Sequence, residues 1–157
     1  MIKDSGERRT FKTGAVRDIQ EGKGRCDLMP LFVVAKHLVK TGELHSDLPL
    51  YNIARFTATN DTKYLHYALA DFAIQYYHNS PETMFLEVAI HFEEGAKKYG
   101  ENNWQKGLPV SCYIDSAVRH YLKHRRGDKD EPHDRAFVWN LLCCCWQVDY
   151  NKEEDTE

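Results

Sequence analysis

The stretch HDRAFVWNLLCCCWQV, residues 133–148, constrains the fold more than any other part of the sequence. It is long enough for about four helical turns, and apolar residues fall on nearly every side of the wheel. Such a helix must be covered all round, so it is expected at the centre of the molecule with the other helices packed on it. His133 and Asn140 lie seven positions apart and therefore share one face of this buried helix. A buried asparagine needs hydrogen-bond partners, so a polar stripe here reads either as a site or as a structural hydrogen bond.

Four more helices are read along the chain. Pro30 suits a first turn, followed by Leu31, Val34, Ala35 and Leu38 at helical spacing up to about Lys40. TGELHSDLP is a break. Asp61 or Thr62 caps a helix to about His78, and Ser80 with Pro81 opens another that stops at Gly100. Ser111 opens a fourth, closed by Lys123, His124, Arg125 and Arg126 before Gly127, where cations favour the helix dipole. Few segments alternate with period two, so the fold class is all-α: a bundle of about five helices in a single domain, 1–157, with a helical core over about 30–148. Residues 1–13 and 150–157 are polar and expected to be flexible, and 14–28 reads as an ordered glycine-rich basic loop.

The net charge of −3 gives no bulk attraction to a polyphosphate backbone, so nucleic acid is not an expected partner. No apolar run approaches the ~18 residues of a membrane span, and the first residues lack the apolar centre of a signal peptide. A cytoplasmic protein without membrane partners is the expectation. Cys26, Cys112 and Cys143 to Cys145 form no paired CxxC motifs, and consecutive cysteines on a helix point in different directions. They read as small buried hydrophobes in a reducing compartment.

Two clusters carry candidate chemistry. In HFEEGAKKYGENNWQKGLP and the turn before it, Glu87, His91 and Glu94 lie at i, i+4 and i+7, on one stripe of a helix, with Glu93 off it. Oxygen-rich ligands a turn apart can grip Mg²⁺ or Mn²⁺, although acidic residues on a solvated face are commonplace. In DKDEPHDRAFVWN, Glu131 and Asp134 stand at i, i+3 at the entrance of the central helix, behind Asp128 and Asp130. Capping accounts for part of that acidity.

The blocks GAVRDIQEGKGRCDLMP, HFEEGAKKYGENNWQKGLP and DSAVRHYLKHRRGDKDEPHDRAFVWNLL, in this order, resemble the phage-associated dATP/dGTP diphosphohydrolase family. More broadly they resemble the MazG-like all-α nucleotide pyrophosphohydrolases. The resemblance covers about half the chain. It departs from the usual pattern where a first-helix E-x-x-E is expected: here stand His91 and Glu94, with Glu87 one turn earlier and Glu93 adjacent. The interval to Glu131-x-x-Asp134 is also longer, because the helix from Asp115 to Arg126 intervenes.

The resemblance implies Mg²⁺, or Mn²⁺, held by Glu87, His91, Glu94, Glu131 and Asp134, and hydrolysis of a (deoxy)nucleoside triphosphate to monophosphate and pyrophosphate. Glu93 or Glu94 would accept a proton from the attacking water. Lys23, Arg25, Lys97, Lys98, Arg119 and His120 would hold phosphates, and His133 and Asn140 would complete the substrate site. Asn103 and Trp104 would meet the base, Trp104 either stacking on it or anchoring its loop. The loop around Lys23 is no Walker motif, because Gly24 follows where Ser or Thr is needed. Two other readings stay open: an HD-type phosphohydrolase built on His133 and Asp134, and a non-catalytic helical module that binds a nucleotide or a partner. A homo-oligomer fits each of them, since so small a chain has few helices to cover an all-round apolar one.

Overall fold

The computed structural model describes residues 4–39 and 47–151. Two short strands, β1 (Arg8–Thr10) and β2 (Val16–Asp18), precede six helices among these residues: α1 (Leu31–His37), α2 (Leu48–Thr59), α3 (Lys63–Tyr76), α4 (Pro81–Tyr99), α5 (Val110–Arg126) and α6 (His133–Trp146). The fold is all-α apart from one hairpin, with one helix more than the five expected. None of these helices is long and apolar enough to cross a membrane.

Helix α6 lies at the centre, as its apolar sequence requires. Phe137 meets Phe72 of α3 at 4.5 Å between ring centroids and Tyr121 of α5 at 5.1 Å. Cys143, Cys144 and Cys145 are all buried, and burial raises the Cys145 thiol to about 12. They pack as apolar side chains. Gln147, just past α6, is also buried: its amide accepts from the Leu108 N–H at 2.7 Å and donates to the Leu108 carbonyl.

Helix α2 is the element the sequence reading passed over. Its apolar face, Leu50, Ile53, Ala54 and Phe56, is buried, but Pro49 lies in the stretch read as a break. Proline belongs in a first turn, and here Asp47 caps that turn by accepting from the Leu50 N–H at 3.1 Å. Most of the expected break, 41–46, lies outside the described residues, as do Lys40 and the tail 152–157. Asp47 is buried and also accepts from Tyr121 Oη at 2.7 and 2.8 Å and from Arg125 at 2.9 Å, tying the start of α2 to α5.

Part of the N-terminal segment expected to be flexible forms the hairpin, in the register Arg8↔Asp18, Arg9↔Arg17 and Thr10↔Val16. Its turn uses Gly14 at φ +88°, and Phe11 and Ala15 on either side insert into the core. Three-residue strands are marginal alone. The hairpin is therefore held from outside. Asn103 donates to the Val16 carbonyl and accepts from the Val16 N–H, both at 2.9 Å, standing in for a third strand. Thr13 Oγ1 donates to the Gly107 carbonyl at 2.6 Å.

Candidate active site

Between β2 with its following loop and the helices α4, α5 and α6 lies a cleft of about 440 Å³. Helix α5 forms one wall because its two faces differ in kind. Ile114, Ala117, Val118 and Tyr121 turn into the core, while Asp115, Arg119 and Lys123 (i, i+4, i+8) and Ser116 and His120 (i, i+4) line the cleft. His91, Gly95 and Tyr99 line it from α4, and Trp139 and Asn140 from α6.

Cations dominate this lining: Arg9, Arg17, Lys23, Arg25, Arg119 and Lys123 face Asp4, Asp18, Asp115 and Glu131. Several are already engaged. Lys23 bonds Asp18 at 2.8 Å, and Arg25 grips Asp27 with two bonds. Arg119 donates to Asp115 and to the Gly24 carbonyl, each at 2.6 Å, and to the Lys23 carbonyl at 3.3 Å. Asp115 also accepts from the Cys26 N–H. Arg119 thus clasps the glycine loop to α5.

Arg17 is different. Its Nη2 donates to Asn140 Oδ1 at 3.2 Å, and its guanidinium lies 5.7 Å from the Trp139 ring and 5.8 Å from that of Tyr113. Its Nη1 is buried with no partner among the described residues. Asn140 is fully used: it accepts from Arg17 and donates to Ser116 Oγ and the Ala136 carbonyl. A cationic N–H held dry without an acceptor is costly, and an anion in the cleft would relieve it.

Two lining residues, His120 and Glu131, together with His133 behind them, offer ligand atoms within 4.8 Å of one another and could hold a metal ion. The His120 and His133 Nδ1 atoms are 2.9 Å apart, and His133 Nε2 meets Asp130 Oδ1 at 2.7 Å. Burial, and then the neighbouring His133, push His120 well below the ordinary histidine value, so its ring is neutral near pH 7 with a lone pair to give. An Asp130 carboxylate behind His133 is the outer partner that a ligating imidazole commonly has. The donor set, two imidazoles and a carboxylate, suits a divalent ion.

The remaining residues singled out from sequence are dispersed. His91 is 7% exposed and its Nδ1 has no partner among the described residues; burial, and then Arg135, lower it to about 4. Glu94, one turn on, keeps a buried Oε2 without a partner among the same residues. Glu87 and Glu93 are exposed. Asp134 accepts from Tyr77 Oη at 2.9 Å and does not line the cleft. The adjacent His133 and Asp134 thus engage different partners. Lys97 is exposed, and Lys98 pairs with Asp4 at 3.6 Å. Asn103 spends its amide on Val16. Trp104 packs edge-on against Trp146 and Phe92, at 5.1 and 5.8 Å.

Arg17, Lys123, Tyr99 and Trp139 were not among the site residues read from sequence, and Asp130 was named there only as part of the acidic turn before the central helix. Lys123 had a signal, its i+4 spacing from Arg119. Arg17 had little, because a three-residue strand is too short for its alternation to be read.

Residues 57–157, more than half of the chain, match the family described as dATP/dGTP diphosphohydrolase, N-terminal. No curated protein and no solved structure matches. The matched segment carries α3 to α6, hence three helical walls of the cleft and the His120, Glu131 and His133 group, while the hairpin with Arg17 precedes it. The chain belongs to the dATP/dGTP diphosphohydrolase N-terminal family.

Proposed function

We propose that the cleft hydrolyses a purine deoxynucleoside triphosphate to its monophosphate and pyrophosphate with the help of a divalent metal ion. The observation that carries this reading is Arg17: a half-buried arginine whose Nη1 is buried with no partner among the described residues, in a cleft ringed by further cations, calls for a polyanion. The family description supplies the substrate class.

His120, Glu131 and His133 would hold the ion, which supplies charge neutralisation and Lewis acidity at a phosphoryl group. Two imidazoles beside one carboxylate favour Mn²⁺ over Mg²⁺ in affinity, while Mg²⁺ can still bind through Glu131 and phosphate oxygens. Arg17, Lys123 and the cations of the glycine loop would take the phosphates. Asn140 and Trp139 would fix Arg17 in place, and Arg119 would hold the loop closed against α5. Neither of the two glutamates considered as proton acceptor lines the cleft: Glu93 faces solvent, and Glu94, a turn from His91, keeps a buried Oε2 with no partner among the described residues.

The test is a panel of dNTPs and NTPs with Mg²⁺ and with Mn²⁺, resolving monophosphate, diphosphate, phosphate and pyrophosphate. Monophosphate with pyrophosphate, abolished by EDTA, is expected, together with loss of bound Mn²⁺ by electron paramagnetic resonance in His120→Asn. Release of phosphate or triphosphate, or no turnover, would overturn the reading.

A further inference from the structure

A second, smaller cavity of about 170 Å³ adjoins the cleft. Its walls are Phe92, Tyr99, Trp104 and Trp139, and Glu101 and Asn102 stand among its lining residues. The two cavities share Gly95, Tyr99, Asn103 and Trp139. Trp139 is the partition: Arg17 lies 5.7 Å and His91 5.8 Å from its ring, and Phe92 of the smaller cavity meets it at 6.0 Å. The four aromatic residues are all partly exposed, and Phe92 packs against both Trp104 and Trp139 at the side of the space they line.

Gly95 stands at the junction. It lies inside the 19-residue helix α4, where glycine is the poorest residue after proline. The helix backbone gives it no reason to be glycine, since its φ is not positive. Neither does packing: a Cβ built there would meet nothing within 4 Å. The space beside it is open, and Gly95 lines both cavities.

Resting on the reading of the cleft as a triphosphate site, we propose that the aromatic cavity takes the base of the same nucleotide, with the sugar crossing over Gly95. A flat heterocycle matches walls that are aromatic, and it continues into a neighbour whose charge matches the phosphates. Asn102 offers a donor and an acceptor to the edge of the base, and Glu101 offers acceptors only. The base preference is thus set at the end of α4, away from the metal-capable group.

The experiment is a calorimetric and tryptophan-fluorescence titration of the full chain in EDTA at low ionic strength, with inorganic tripolyphosphate and with dATP and dGTP. Tripolyphosphate is expected to bind without quenching. At least one of the two nucleotides is expected to bind about tenfold tighter and to quench tryptophan emission. Gly95→Val should erase that tenfold advantage, so that the nucleotides bind no tighter than tripolyphosphate. Gly95→Ala should raise Tm while reducing the advantage in part, a combination that a purely structural glycine would not give. If tripolyphosphate binds but neither base adds affinity, or if the advantage survives Gly95→Val, the base site is overturned and the phosphate cleft stands. If neither ligand binds, the cleft reading fails as well.

Discussion

Arg17 and Asn140, 123 positions apart, are joined by one hydrogen bond of 3.2 Å that fastens the hairpin to the central helix. The bond uses Nη2 and leaves Nη1 buried without an acceptor among the described residues. Removing the guanidinium should therefore separate binding from stability. Arg17→Met keeps the apolar stem and deletes an unsatisfied donor, but it also leaves the buried Asn140 Oδ1 without its partner. The two effects oppose each other, so Tm is expected to change little. Affinity for tripolyphosphate should fall by roughly ten- to a hundredfold, the value of one or two hydrogen bonds to a charged group. A variant that loses Tm and keeps its affinity would make Arg17 a structural residue.

His91 ties stability to acidity. Its ordinary value of 6.5 is lowered to about 4, chiefly by burial, then by Arg135, with Glu94 acting in the opposite sense. Above pH 6.5 the ring is neutral in the folded and the unfolded chain, and pH has no effect through it. Between about 6.5 and about 4 the unfolded chain takes up a proton that the folded chain refuses, so stability falls as the solution is acidified. The loss should be on the order of 3 kcal/mol over that window. His120, lowered in the same direction, adds to it. Urea unfolding in metal-free buffer at pH 7 and pH 4.5 should show a smaller drop for His91→Gln than for the parent. An equal drop would assign the acid sensitivity to other groups.

Periodicity made the helices legible, and where it was short or interrupted the reading thinned out. The central helix could be placed at once, because sixteen mostly apolar residues admit no other location. Ser80 caps α4 by accepting from the Thr83 N–H, a local rule that sequence expresses directly. Helix α2 was hidden behind Pro49, and the hairpin behind strands of three residues. Polar residues on helices were visible as types, but their partners were not. His120 and His133 meet because α5 and α6 cross, and Asp134 goes to Tyr77 because it sits one position round α6. Arg17 reaches the cleft only through the hairpin register, which depends on Asn103 nearly ninety positions away.

Asp47 tests the clamp at the other end of α5. Its buried carboxylate caps α2 and accepts from Tyr121 and Arg125. Asp47→Ala leaves a buried phenol and a partly buried guanidinium without their acceptor and uncaps a helix. The cost should be about 3 kcal/mol, at the lower end for breaking a buried ion pair because Arg125 is partly exposed. The residue lies outside the cleft, so nucleotide affinity measured below the unfolding transition should stay within twofold of the parent. A loss of affinity without a loss of stability would contradict this division of labour.

Asn103 offers the complementary case, a residue that acts on the site through the backbone. Its amide gives β2 both bonds of a missing neighbour strand, and Arg17 is the next residue of that strand. Asn103→Ala removes both bonds and leaves the Val16 N–H and carbonyl to water, at a cost of about 1–3 kcal/mol. The loss should be local. Hydrogen exchange should accelerate at residues 16–18, with α6 unchanged, and KM should rise with little change in kcat, because Arg17 is displaced while the His120, Glu131 and His133 group is untouched. Asn103→Asp can still accept from the Val16 N–H but cannot donate to its carbonyl, and it should fall no closer to the parent than the alanine variant. If either variant lowered kcat at unchanged KM, Asn103 would have to act on the chemistry itself instead of on the position of Arg17.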